Sequence, residues 1–282
     1  MSQVRHIAKT VSGQRAIDGA GVRLIRVIGH NDVKEFDPFL LLDAFDSRDP
    51  KDYIKGFPWH PHRGIETFTY LVEGNIEHGD SLGNKGVILG GQAQWMTAGS
   101  GIIHQEMPKP AEHMLGLQLW VNLPRTQKMC DPIYRDLNEK TMLEIKGDKN
   151  MVRLIAGEYG GFEVGVKQSK VEVRFMDITM ETGGELSIQL PLSHTLFLYV
   201  FFGKIEINHT EVPQRHAVSL KDGDEVIIHA KEDSRFMWFE GAPLKEPIAW
   251  GGPIVMNTQE ELQHAFDEID DGTFLKHTDS HN

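Results

Sequence analysis

Two short stretches carry metal-binding side chains at a spacing that lets them act together. The first is His60-Pro61-His62 and the second is His104-Gln105-Glu106. On an extended chain, residues i and i+2 point to the same face. His60 and His62 therefore project together, as do His104 and Glu106. Laid side by side, two such strands present three imidazoles and one carboxylate. That donor set suits Fe, Mn, Co, Ni, Cu or Zn, and an octahedral ion would keep two positions for other ligands. The chain has 14 histidines, and any one alone reads more simply as a surface or hydrogen-bonded residue. Two i, i+2 pairs in one β-rich stretch point to a metal site.

Neighbouring residues have plainer readings. His78 and Asp80 follow a glycine turn and read as part of a hairpin loop. Phe57, Trp59, Trp95 and Met96 read first as core or rim residues, and are the nearest candidates for stacking should an aromatic ligand enter. Arg63, beside a ligand strand, is suited to pairing with a carboxylate. The single cysteine, Cys130, excludes an internal disulfide and a CxxC site.

The elements that must position the pairs are mostly strands. Residues 21–28, 66–72, 86–89, 93–97, 116–123, 173–180, 186–190, 195–201, 226–229 and 235–240 are rich in Val, Ile, Phe, Tyr and Thr. Gly, Asn, Asp or Pro bound them, as expected of a sandwich or barrel. One helix is expected late, where Thr258 and Glu261 form a capping box and Leu262, Phe266 and Ile269 share a face. The polar tail 273–282 reads as frayed.

A length of 282 residues suggests two domains at about 150 residues each. With 40% apolar and 25% charged residues, the composition excludes disorder and collagen-like repeats. A net charge of −12, from 29 basic and 41 acidic side chains, argues against duplex DNA or an anionic membrane as the direct partner. Residues 1–13 lack the apolar core of a signal peptide. The longest wholly apolar run, 196–202, is too short to span a bilayer. The expectation is a soluble, cytoplasmic protein.

A short internal repeat supports two similar halves. The stretch 70–77, YLVEGNIE, matches 199–206, YVFFGKIE, at an offset of 129, and Gly91–Gln94 faces Gly223–Val226 at an offset of 132. The boundary is expected within 124–149, giving domains 1–130 and 131–282. Carried across these offsets, the positions of His60, His62, His104 and Glu106 become Gln189, Pro191, Phe236 and Trp238. A second half so built is expected to be metal-free.

The run HPHRGIETFTYL from His60 to Leu71 resembles the signature of the pirin family, a branch of the cupin superfamily. So do HGDSLGN from His78 and QWMTAGSGIIHQEMP from Gln94 to Pro108, followed by GLQLWVNLP from Gly116. The likeness weakens in the second half and returns at GGPIVMNT, Gly251 to Thr258. The resemblance implies an all-β bicupin: two face-to-face antiparallel β-sandwich barrels of jelly-roll type with a short C-terminal helix. It also implies one mononuclear divalent metal, usually Fe2+, in the N-terminal barrel, held by His60, His62, His104 and Glu106. Other cupins use a glutamate soon after the HxH pair, here Glu66, which competes with Glu106 for the fourth position.

The activity so implied is a quercetin 2,3-dioxygenase that cleaves a flavonol with O2 and releases CO and a depside. Glu106 is the expected catalytic base for the flavonol 3-hydroxyl. Two other readings differ in class. One is an iron-dependent regulatory protein acting through a protein partner, as pirins do in animals. The other is a storage-type cupin without metal, which the four ligands disfavour.

Overall fold

Runs of Val, Ile, Leu, Phe and Tyr broken by glycine turns become strands throughout the computed structural model, which describes residues 2–164 and 170–277. The first series comprises β1 (His6–Val11), β2 (Gln14–Asp18), β3 (Val22–Ile28), β4 (Phe39–Ser47), β5 (Phe57–His62) and β6 (Ile65–Glu73). It continues with β7 (Asn75–Asp80), β8 (Lys85–Leu89), β9 (Ala93–Thr97), β10 (Ile102–Pro108), β11 (Met114–Asn122) and β12 (Ile133–Leu137). A single helical turn, α1 (Val33–Phe36), separates β3 from β4. The second series begins with β13 (Leu143–Lys146), β14 (Asn150–Tyr159), β15 (Phe162–Val164), β16 (Val173–Met180), β17 (Glu185–Gln189) and β18 (Thr195–Phe202). It ends with β19 (Lys204–Ile207), β20 (Thr210–Pro213), β21 (Ala217–Lys221), β22 (Glu225–Ala230) and β23 (Ser234–Gly241). A hairpin of β24 (Ala249–Gly251) and β25 (Ile254–Met256) then leads into α2 (Gln259–Asp270). All ten strands expected from the sequence are present, displaced by at most two residues at an end.

Two compact units result. One contains Gln14–His30, Phe39–Asn138 and the segment from Leu244 onward; the other contains the segment up to Gly13, Asn31–Pro38 and Glu139–Pro243. The main break falls inside the expected 124–149 stretch, but the contiguous division 1–130 and 131–282 needs correction. Backbone pairing overrides chain order: β1 pairs with β21 in the second unit. Residues of the β24–β25 hairpin and of α2 join Ile103 of β10 in one apolar cluster of the first unit.

In the first unit, a large antiparallel sheet has the order β12-β9-β6-β11-β4-β3-β2, and a small one the order β5-β10-β7-β8. The second unit has β1-β21-β18-β23-β16-β14-β13, with β15 on β14, and β17-β22-β19-β20. The orders match strand for strand, giving the two cupin sandwiches of an all-β bicupin. In the second unit one apolar cluster draws buried side chains from both sheets, among them Leu198, Trp238, Ile188 and Val226.

The repeat holds through the first glycine turn, where Gly74 and Gly203 both take positive φ, 105° and 77°. Its second arm fails. Matching Gly91–Gln94 to Gly223–Val226 equates β9 with β22, whereas the sheet orders equate β9 with β21. The carried-over ligand positions are corrected accordingly. In the first unit His104 pairs with Asp80 and with His60, and Glu106 with His78. In the second, Ile228 pairs with Ile207 and Val226 with Ile188. The counterparts of His60, His62, His104 and Glu106 are therefore Ile188, Leu190, Val226 and Ile228, all buried. Gln189, Pro191, Phe236 and Trp238 are not the equivalents.

Helix α2 starts as expected. The Thr258 hydroxyl accepts from Glu261 N at 3.2 Å, and the Glu261 carboxylate accepts from Thr258 N at 3.1 Å. Leu262, Phe266 and Ile269 join a cluster with Ala249, Ile254, Phe274 and Leu275. Residues 273–277 of the tail thus include packed side chains, while 278–282 lie outside the described residues. Among the described residues no helix is long and apolar enough to cross a membrane.

Candidate metal centre

β5 and β10 lie side by side and antiparallel, so the two histidine stretches meet as their spacing predicted. His60 stands directly opposite His104, and His62 opposite Ile102. The ligand atoms of His60, His62 and His104 all lie within 4.8 Å of one another. His60 Nε2 is 3.1 Å from His62 Nε2 and 3.0 Å from His104 Nε2.

For His60 and His62 the opposite ring nitrogens fix which nitrogen faces the cluster. His60 Nδ1–H donates to Pro58 O at 2.9 Å, and His62 Nδ1–H to Pro253 O at 3.0 Å. A carbonyl only accepts, so the proton sits on Nδ1 and each Nε2 keeps its lone pair. Two lone pairs facing each other at 3.1 Å repel unless a cation lies between them. Neighbouring ligands on an octahedral ion, each at about 2.1 Å, would be about 3.0 Å apart. The His60–His62 and His60–His104 pairs fit that spacing. Burial, then the neighbouring His60, pulls His62 down to about 3. Burial first, then the other histidines, holds His104 well below the usual histidine range. Both stay neutral at physiological pH, as metal ligation requires.

Glu106 lies two residues beyond His104, past a slip in register that sets it opposite Phe57. Its carboxylate is buried and accepts from Thr69 Oγ1 at 2.9 Å and from Gln118 Nε2 at 2.7 Å. It is not among the three residues that converge within 4.8 Å. Glu66 is also outside that trio, fully buried on β6, and accepts from Thr97 Oγ1 at 2.6 Å.

Other expected residues fall differently. His78 and Asp80 lie on β7 and are buried, where a hairpin loop was expected. The His78 ring centroid is 5.3 Å from that of His104, and the ring also stacks on Tyr134 at 4.6 Å. Arg63 pairs with a carboxylate as expected, Glu268 of α2 at 2.7 Å. It also donates to Ser100 O at 2.7 Å and Phe274 O at 2.8 Å, which makes it a buried strut. Gly64 follows at φ 77°, and a Cβ there would meet Val255 O at 1.9 Å. Only glycine fits that close approach. Beside it Lys128 donates to Gly64 O, Asn122 Oδ1 and Val255 O, and burial pulls its ammonium down to about 7.

A cavity of about 540 Å³ opens beside His60 and His62. Phe57 lines it, but the other three proposed stacking residues do not. Trp95 and Met96 are fully buried on β9, with Trp95 packed on Phe68, and Trp59 is 56% exposed on another face. Sequence reasoning missed Trp120, whose ring meets His62 edge-on at 5.0 Å, and Trp250, stacked on His30 at 3.7 Å. It also missed Arg26, Asp43 and Gln118 in the same wall. Their signal was a lone polar residue inside an apolar strand, as in Leu40-Leu41-Leu42-Asp43-Ala44-Phe45 and Leu117-Gln118-Leu119.

Comparison with known proteins follows the same division. The family model described as Pirin matches residues 21–121, and that of the Pirin C-terminal cupin domain matches residues 175–275. A pirin-like protein of Caulobacter vibrioides is 40% identical over 274 residues, covering 96% of this chain and 99% of its own. Human pirin is 38% identical over 276 residues, covering 94% of this chain and 92% of its own. The crystal structure of a quercetin 2,3-dioxygenase from Acinetobacter baumannii superposes with a TM-score of 0.87 at 31% identity, covering 96% of this chain and 99% of that one.

Proposed function

This chain belongs to the pirin family, and from that premise we propose that it is a metal-dependent dioxygenase of flavonols such as quercetin. The substrate and O2 would give a depside and CO. His60, His62, His104 and Glu106 would hold one divalent metal, Fe2+ by preference. The observation that carries this reading is that His60 Nε2 stands 3.0–3.1 Å from the Nε2 atoms of His62 and His104, beside an aromatic-walled cavity. When bound, the metal supplies positive charge that favours the deprotonated form of the flavonol 3-hydroxyl. Glu106 takes that proton, held for the task by Thr69 and Gln118. Phe57, Trp120 and Trp250 offer flat apolar surface to a planar ligand. The second unit holds no metal in this reading, and its role is structural.

Metal content measured alongside oxygen consumption with quercetin tests the proposal. Bound metal with steady turnover supports it. The near-equal likeness to human pirin favours a second reading, an iron-binding regulatory protein acting through a protein partner. Bound metal without turnover on any flavonol would select that one. A cytoplasmic setting belongs to both readings.

A further inference from the structure

Five adjacent strands of the first unit's large sheet each carry one polar residue in register. Arg26 pairs with Asp43, Asp43 with Gln118, Gln118 with Thr69, and Thr69 with Gln94. Directly paired residues share a face, so the five form one file across the sandwich interior. Buried polar groups are costly unless each has a partner, and these have them. Gln94 meets His78 at 2.6 Å, Thr69 and Gln118 hold Glu106, and Asp43 takes Arg26. Arg26, Asp43 and Gln118 line the cavity beside His60 and His62. Strands lie about 4.8 Å apart, so Asp43 and Arg26 stand roughly 5 and 10 Å beyond Gln118 along the wall.

The far end of this wall is acidic on balance. Arg26 donates through Nε and Nη2 to the two oxygens of Asp43 at 2.9 and 2.8 Å, and through Nη2 to Asp18 at 2.7 Å. Two carboxylates answer one guanidinium. Each Asp43 oxygen takes one Arg26 bond and keeps a second lone pair. Such a wall repels a carboxylate or phosphate and accepts from an O–H donor. We propose that Asp43, fixed by Arg26, is a specificity-determining residue that accepts a hydrogen bond from a hydroxyl on the end of the ligand remote from the histidines. The ligand class is an uncharged, flat, polyhydroxylated aromatic. This rests on the cavity being the flavonol site proposed above.

Equilibrium binding to the metal-loaded protein without O2, followed by quenching of tryptophan fluorescence, tests it without turnover. The probes are quercetin, a flavonol lacking hydroxyls on its pendant ring, and one bearing a carboxylate there. Quercetin should bind roughly tenfold to hundredfold more tightly than the unsubstituted flavonol, the range of a hydrogen bond to a charged group. The carboxylate should bind weakest. Asp43→Asn should erase most of the preference for the hydroxyls, and Asp18→Asn should relieve the penalty on the carboxylate. Equal affinity for all three ligands on the wild-type protein overturns the inference and leaves the dioxygenase reading standing. Absence of binding by every flavonol removes both.

Discussion

The two units share a strand order and differ in what lines it. In the first, the file across the large sheet reads Arg26, Asp43, Gln118, Thr69, Gln94. The same positions in the second read Leu154, Met176, Trp238, Leu198, Val218, paired in the same succession. All five belong to one apolar cluster. The small sheets differ in step, with His60, His62, His104 and Glu106 on one side and Ile188, Leu190, Val226 and Ile228 on the other. The proposed ligand set and its supporting polar file occur together or are replaced together. The physical reason is that a buried carboxylate such as Glu106 needs donors, and those must come from the facing sheet.

The sharpest break of this comparison is a metal count. One ion per chain is expected, and His104→Ala or His60→Ala should lose most of it while circular dichroism still reports a β-fold. A second equivalent with ligands from residues 139–243 would end the contrast. Next in size is Glu106→Gln, which keeps an oxygen donor but cannot take a proton. Reloaded with metal, it should lose flavonol turnover by roughly 10²-fold or more, the scale of a missing general base. Its metal occupancy should fall far less. Near wild-type turnover would make Glu106 a ligand alone.

Crossing the two files gives a smaller effect. Leu198→Thr would bury a hydroxyl among apolar neighbours and remove packing, at about 2–4 kcal/mol in urea unfolding. Thr69→Val removes one donor from Glu106, at about 1–3 kcal/mol. A neutral outcome for Leu198→Thr would show the second interior to be more permissive than its packing implies. The last prediction concerns pH in metal-stripped protein, where the effect per pH unit is modest. With His62 at about 3 folded and about 6.5 unfolded, the unfolded chain binds the extra proton between those values. Stability from this residue is complete above 6.5 and declines as the pH falls toward 3. His62→Leu should flatten that decline by about 1.4 kcal/mol per pH unit, as read from denaturant midpoints across the interval.

What could be read in the sequence was local. Runs of Val, Ile, Phe, Tyr and Thr between turn residues placed the strands, Thr258 and Glu261 placed the helix start, and the i, i+2 spacing placed the histidine cluster. The polar file was hidden because its five residues are scattered from Arg26 to Gln118 and only strand register assembles them. The failed second arm of the repeat has the same origin. Gly91 and Gly223 look alike as turn residues, but a turn does not say which sheet the next strand joins. Trp250 and Pro253 reach the site from beyond the second unit's strands, so distance along the chain concealed them.

The carbonyl of Pro253 that accepts the hydrogen bond from His62 Nδ1–H also sets an order of events. His62 is made early and its acceptor late, as are Glu268 and the Phe274 carbonyl that engage Arg63. A nascent chain carrying every strand of the first sandwich still lacks these partners for two side chains of its interior. The proposed metal site is therefore finished only after residues 253–274 have been synthesised and have folded back, with the whole of the second unit's chain already made. A fragment ending at Asn138 contains all four proposed ligands, and it should hold metal poorly.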